Sequence, residues 1–372
     1  MLKKALFLLL FVFSLPVFSQ NPKLSKNTQV SIFTCGRGEQ LYSTFGHTAL
    51  RIKDETNQLD IVFNYGAFDF RTENFYLKFV KGDLQYFMNV TSVEDFIAEY
   101  QIDEREVIEQ TINLSLPQKQ KLFDELSAAL YTSEKYYTYK FIDQNCTTMV
   151  AEKINTLLGQ AQIQKVDDKT LSYREVLYPY FENYFWYKLG INIIFGAKTD
   201  ADAEKLFLPV ELMNSLDSHT VNQKPLVTDK KTIVKGTEIK PVFSFFNSIY
   251  VIIAFFLVLL VINKRWLFLT YLFSAGLLGV FLCLVGLYSQ HQEVLWNYNA
   301  LLFCPLFLAL PFLKEQRLKR IGNLSIAILM VYTIFMVNKP HLSIMLPFII
   351  GTFIMLLKIS GRNPFKLLPS VK

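Results

Sequence analysis

The sequence predicts two parts of different class, an exported α+β domain followed by an all-α transmembrane bundle of about five helices. Three observations carry this. Residues 1–19 read as a secretory signal: Lys3 and Lys4 precede an apolar run from Ala5 to Phe18, and Val17 and Ser19 suit a cleavage site before Gln20. Near Pro241 the composition turns from charged and aromatic to long apolar stretches. The loops between those stretches alternate between basic and nearly uncharged.

Residues 20–217 form the exported domain. Gln29–Thr34 reads as a strand, and Thr48–Lys53 and Leu59–Tyr65 as two more, joined by a polar turn. Leu84–Val90 alternates again, and Ser92 with Asp95 caps a helix toward Tyr100. Glu106–Leu114 alternates as a strand. Pro117 then opens a helix with Leu122, Phe123, Leu126 and Leu130 at helical spacing. Tyr136–Ile142 is β-branched and aromatic enough for a strand. A turn at Asp143–Asn145 leads into a helix from Cys146, with Val150, Ile154, Leu157 and Leu158 as its apolar stripe and Gly159 at its end. Ser172 and Glu175 form a second capping box, ahead of an aromatic run from Tyr178 to Tyr187. Residues 218–243 read as a linker.

Residues 244–358 hold the apolar stretches Phe245–Ile262, Leu267–Tyr288, Ala300–Leu313, Leu324–Val337 and Leu342–Leu357. The third and fourth are short against the ~20 residues that a membrane-spanning helix needs, and their flanks extend them. Lys264 and Arg265, the group Lys314, Arg317, Lys319 and Arg320, and the tail 359–372 carry the basic charge, whereas Ser289–Asn299 has no Lys or Arg. The expected placement is an inner-membrane protein with its N-terminal domain in the periplasm and its C-terminus in the cytoplasm. The net charge of +6 is then largely a property of loops beside the bilayer, and calls for no nucleic-acid partner.

The exported domain has two cysteines and two histidines, Cys35, Cys146, His47 and His219. Cys146 stands where a strand turns into a helix. There, unpaired N–H groups and the helix dipole favour a thiolate and an oxyanion. His47, on the strand face opposite Leu50 and Ile52, suits a base for such a thiol. If Lys53 and Gln58 close the turn, Asn64 stands beside His47 and orients the ring. A Cys35–Cys146 disulfide is the competing reading of the same cysteines, and His219 reads as solvated. Asn145, beside the thiol, and His291, Glu293, Asn297 and Asn299, in the uncharged loop, are candidate substrate-binding residues. The loop residues would meet a lipid headgroup, or else form an ordinary interfacial loop. No cofactor or metal is called for.

The run Thr34-Cys35-Gly36-Arg37-Gly38-Glu39-Gln40-Leu41-Tyr42-Ser43-Thr44-Phe45-Gly46-His47-Thr48-Ala49-Leu50-Arg51-Ile52 resembles the opening motif of the Lnb N-terminal periplasmic domain family. Phe63–Phe70, Asp143–Thr148 and Leu208–Met213 resemble its later motifs, so that the similarity spans about residues 28–215. The resemblance implies a circularly permuted papain-like (NlpC/P60-like) fold with His before Cys, and an Asn-Cys helix start similar to that of lecithin–retinol acyltransferase-like enzymes. It also implies lipoprotein N-acylation, with a phospholipid as acyl donor, the N-terminal amine of a lipoprotein as acceptor, Cys146 as nucleophile and His47 as base. Two other classes stay open: a membrane-anchored cysteine peptidase or amidase of the cell wall, and a non-catalytic, disulfide-bonded binding module. Five apolar stretches favour a substrate that lives in the bilayer.

Overall fold

A computed structural model describes residues 21–237 and 240–361. The signal reading of residues 1–19 and the basic tail beyond Gly361 lie outside the described residues.

In chain order the elements are β1 (Gln29–Cys35), β2 (His47–Asp54), β3 (Leu59–Ala67), α1 (Phe75–Lys81), β4 (Gln85–Ser92), α2 (Val93–Ile102), β5 (Val107–Ile112), α3 (Leu116–Ala129), β6 (Tyr136–Thr138) and α4 (Cys146–Leu158). There follow α5 (Tyr173–Leu177), α6 (Phe185–Ile194), α7 (Pro209–Ser218), the hairpin β7 (Thr220–Val221) and β8 (Lys224–Pro225), and β9 (Val227–Val234). The membrane part comprises α8 (Ile249–Ile262), α9 (Arg265–Tyr288), α10 (Glu315–Met336) and α11 (Leu342–Ile359).

Seven strands form one antiparallel sheet in the order β6-β4-β3-β2-β1-β5-β9. Strand alternation separates its two faces. Leu50, Ile52, Phe63 and Met88 pack against Leu122 and Leu126 of α3 and Val150 and Ile154 of α4. Phe33, Ala49 and Val62 face the other way, onto Phe96 and Tyr100 of α2. The expected caps are present: Ser92 accepts the Asp95 N–H, and Ser172 and Glu175 bond reciprocally.

Three elements differ from expectation. The segment expected as linker contributes β9, which pairs with β5 at the sheet edge. Its Asp229-Lys230-Lys231 run hides the strand pattern because an edge strand exposes both faces, and charge there discourages further pairing. β6 stops at Thr138 because Lys140 and Gln144 exchange backbone hydrogen bonds of 2.9 and 3.0 Å around a turn. The short helix α1 has no long periodic signature; it lies between Asn74 and Gly82, both at positive φ.

In the membrane part, α9, α10 and α11 are the described helices long and apolar enough to cross a bilayer, and α8 is a shorter apolar helix. The expected helix over Ala300–Leu313 is instead a pair of 3₁₀ segments, one of them Pro305–Phe312, bent by 40°. Pro305 and Pro311 remove N–H donors that an α-helix would need. A 3₁₀ segment rises ~2.0 Å per residue against ~1.5 Å, so this short stretch reaches further than an α-helix of equal length. It packs on α9 where Gly279 leaves room; a Cβ there would overlap the Phe303 carbonyl oxygen.

Candidate active site

The turn before Cys146 is built by Asn145. Its Oδ1 accepts the N–H groups of Thr147 (2.9 Å) and Thr148 (3.0 Å), which caps α4. Its Nδ2 donates to the carbonyls of Phe141 (2.8 Å) and Phe207 (2.9 Å). Asn145 therefore acts as a structural cap, and the expectation that it binds substrate is corrected: its amide is committed to the turn and buried. The cap holds Cys146 at the first position of the helix, where the dipole favours negative charge.

His47 opens β2. The β2–β3 register sets Leu50 opposite Phe63 and Lys53 opposite Asp60, two residues away from the expected alignment. The reason lies in the connection. Asp54 accepts the N–H groups of Thr56 and Asn57, and Gln58 takes positive φ, so the strands close at Asp54 and Leu59. A slip of two residues keeps every side chain on its face. Asn64 thus stays on the side of His47, and its Oδ1 lies 2.6 Å from His47 Nε2. Nε2 donates this bond, which leaves Nδ1 to meet the thiol.

Gly66 lies beside the pair. It has φ +109°, at an irregularity of the β3–β4 ladder. A Cβ on it would stand at ordinary contact distance, 3.5 Å from His47 Cε1 and 3.9 Å from Cys146 Cβ, so Gly66 borders both side chains, and its φ, rather than lack of space, is what asks for glycine. Thr147 Oγ1 lies 4.0 Å from Cys146 Sγ and 3.0 Å from Thr48 Oγ1.

These contacts set the protonation states. Burial alone would raise the Cys146 pKa, but the charge of His47, its hydrogen bond, the Thr48 N–H and the Thr147 hydroxyl outweigh it and hold the thiol below its ordinary value. Burial would lower the His47 pKa, but the Cys146 charge and bond, together with Asn64, raise it. Both shifts act in the direction of a thiolate beside an imidazolium.

Cys35 lies directly opposite His47 in the β1–β2 register but is buried in the cluster beneath α2. Burial pushes its thiol up to about 12. Both Cys35 and Cys146 are free thiols, so the disulfide on which a binding-module reading depended is not formed. The loop after Cys35 is anchored by Arg105, which donates to the Gly36 carbonyl (3.0 and 3.1 Å), and by Arg37, which donates to the Pro179 carbonyl (2.7 Å). His219 bonds the Ala161 carbonyl at 2.8 Å rather than standing in solvent. Among the described residues no cluster of His, Cys, Asp and Glu is arranged to hold a metal.

The loop from Ser289 to Asn299 forms the joint between the sheet domain and the bundle. Glu293 is 1% exposed, and its Oε1 accepts the Ile142 N–H at 3.1 Å, three residues before Asn145. Its backbone carbonyl accepts the Gly196 N–H. His291 Nε2 donates to the Phe79 carbonyl at 2.8 Å. Asn297 Nδ2 donates to the carbonyls of Ile193 (2.8 Å) and Ile194 (2.7 Å), and Asn299 Nδ2 to that of Asn192 (2.7 Å). Each of the four side chains expected to meet a headgroup, those of His291, Glu293, Asn297 and Asn299, thus bonds a backbone group of the exported domain, and Asn299 Oδ1 also accepts the Tyr332 hydroxyl of α10. Beside them Arg174, fully buried, donates to Asp200 at 2.8 Å, and Asp200 accepts the Tyr298 hydroxyl at 2.7 Å.

Sequence reasoning found Cys146, His47 and Asn64, which meet. It missed Gly66, Thr48 and Thr147, although Gly66 and both threonines stand inside the motifs that carried the resemblance. No curated protein and no solved structure matches the chain. One family model does, that of the Lnb N-terminal periplasmic domain, over residues 19–178, which contain His47, Asn64, Gly66 and Cys146.

Proposed function

We propose that the protein is a lipoprotein N-acyltransferase. It moves an acyl chain from a membrane phospholipid through a Cys146 thioester to the N-terminal amine of a lipoprotein. The observation that carries this reading is the bond from the Ile142 N–H to Glu293, which fastens the turn before the thiol to a loop between apolar segments. A nucleophile tied to that loop suits a substrate that resides in the bilayer.

In this reading the exported part is a circularly permuted papain-like domain. The bundle crosses an inner membrane five times, through α8, α9, the bent 3₁₀ stretch, α10 and α11. Lys264, Arg265, Arg317, Lys319 and Arg320 then lie on the cytoplasmic side, as does the C-terminus.

The chemistry runs in two halves. His47 Nδ1 holds the proton of Cys146, and the thiolate attacks the ester carbonyl of the phospholipid. The Cys146 N–H, which the Asn145 cap leaves unused, faces the developing oxyanion at the helix start. The C–O bond breaks, lysophospholipid leaves with the proton from His47, and the acyl chain stays on sulfur. The neutral amine of the lipoprotein then attacks the thioester and gives its proton to His47. The C–S bond breaks, and an amide and the thiolate–imidazolium pair remain. Asn64 holds the imidazole ring throughout, through its bond to Nε2.

The mass spectrum of lipoprotein N-termini from cells with and without the protein tests the proposal. N-acylated termini that depend on Cys146 support it. Unchanged termini, with altered cell-wall peptides instead, would assign the site to a peptidase or amidase.

A further inference from the structure

α1 exposes the wrong residues for a helix in water. Tyr76 is 75% exposed and Leu77 62%, and Phe79 and Val80 are each more than 40% exposed, whereas Lys78 and Lys81 are partly covered. A surface helix of a soluble domain shows the reverse pattern. Its position accounts for this. The Ser289 hydroxyl donates to the Val80 carbonyl at 2.8 Å and the Gln290 N–H to the Lys81 carbonyl at 2.6 Å. Ser289 directly follows the last residue of α9. α1 is thus fastened to the end of an apolar helix long enough to cross a bilayer, at the level where that helix leaves the hydrocarbon.

We propose that the exposed face of α1 is inserted in the outer leaflet of the bilayer beside α9, with membrane lipid as its occupant. The aromatic residues that lead away from it run toward the strand end that carries Gly66. Phe75 packs at a tilt against Phe70 (4.9 Å between ring centres) and Phe68 (5.8 Å), and Phe68 is two residues from Gly66, where a Cβ would stand 3.5 Å from His47 Cε1 and 3.9 Å from Cys146 Cβ. An acyl chain leaving the leaflet at α1 meets apolar surface along this line. The insertion rests on the membrane reading of α9, and not on the chemistry at Cys146.

The test uses full-length protein with Cys146→Ser and Cys283→Ser, reconstituted in vesicles of phosphatidylethanolamine and phosphatidylglycerol. A single cysteine is introduced by Leu77→Cys, by Leu284→Cys on the exposed side of α9, or by Ile102→Cys on α2, and labelled with a nitrobenzoxadiazole dye. Because Cys146 is absent, the result does not depend on acyl transfer. Lipids brominated along the acyl chain are expected to quench residues 77 and 284 by at least half, and residue 102 not at all. Quenching at 284 without quenching at 77 overturns the insertion alone. No quenching at either overturns the membrane reading together with it. Self-quenching at 77 that grows with protein density would assign the face to a second copy of the chain, and also overturns the proposal.

Discussion

Glu293 Oε1 accepts the Ile142 N–H at 3.1 Å, across the boundary between the membrane part and the sheet domain. Ile142 belongs to the turn whose cap, Asn145, fixes the start of α4. A carboxylate on the bundle therefore bears on the position of a thiol in the exported domain.

Glu293→Ala leaves the Ile142 N–H without a partner. Loss of a hydrogen bond to a charged group costs about 1.5–3 kcal/mol. If that loss falls on the position of the turn, turnover drops about ten- to hundredfold. Glu293→Gln keeps an acceptor and should recover most of the rate. Kinetics of the two variants, compared at equal thermal stability, check this. Equal kcat for Glu293→Ala and wild type would sever the link.

Thiol reactivity should separate the two exported cysteines. With iodoacetamide near neutral pH, Cys146 should be alkylated and Cys35 spared, because Cys35 is buried with its pKa pushed up to about 12. The alkylation rate of Cys146 should reach half its maximum below the ordinary thiol pKa of 9.0. His47→Ala removes the charge that opposes burial, so the midpoint should move upward. Mass spectrometry of labelled peptides across pH 5–10 reads both effects.

Transfer itself should follow a bell in pH. The thiolate appears as pH rises through the lowered Cys146 pKa, and the imidazolium is lost as pH rises through a His47 pKa raised above 6.5. The two groups are coupled, so the limbs belong to the pair. Asn64→Ala removes a contact that supports the charged ring, and should move the alkaline limb to lower pH. An unmoved limb would leave Asn64 without a role in the pair.

Two glycines of α9 should respond oppositely to substitution. Gly279→Ala sets a methyl group against the Phe303 carbonyl, whereas at Gly286 the nearest atom would stand 3.7 Å away. Gly279→Ala should destabilise by about 1–3 kcal/mol, as overpacking does. Gly286→Ala should be neutral or slightly stabilising, since alanine is the better helix former. Thermal unfolding in detergent distinguishes them.

Cys146 and His47 were legible because each sits at a boundary with its own chemical signature: Cys146 where a polar turn meets an apolar helical stripe, His47 where a glycine turn meets an alternating strand. Asn64 was reached through a register wrong by two residues, and survived because an even slip preserves the face. The role of Asn145 was misread, since a cap and a ligand use the same amide. Glu293 and its neighbours were legible as a distinct loop, but not as a joint: their partners, Ile142, Asn192 and Phe79, are a hundred or more residues away in the chain, and no local period records such contacts. β9 was hidden by its lysines, and the bent 3₁₀ stretch by an apolar run that looks helical apart from Pro305 and Pro311.

The most direct measurement is the capture of the acyl intermediate. Purified protein in vesicles is mixed with phospholipid carrying a labelled acyl chain, without lipoprotein acceptor, and the protein is isolated under denaturing conditions. The account predicts label on the peptide containing Cys146, released by neutral hydroxylamine, absent from Cys146→Ala, and discharged to a lipoprotein amine when acceptor is added. Transfer at full rate by Cys146→Ala, or label resistant to hydroxylamine, would contradict it.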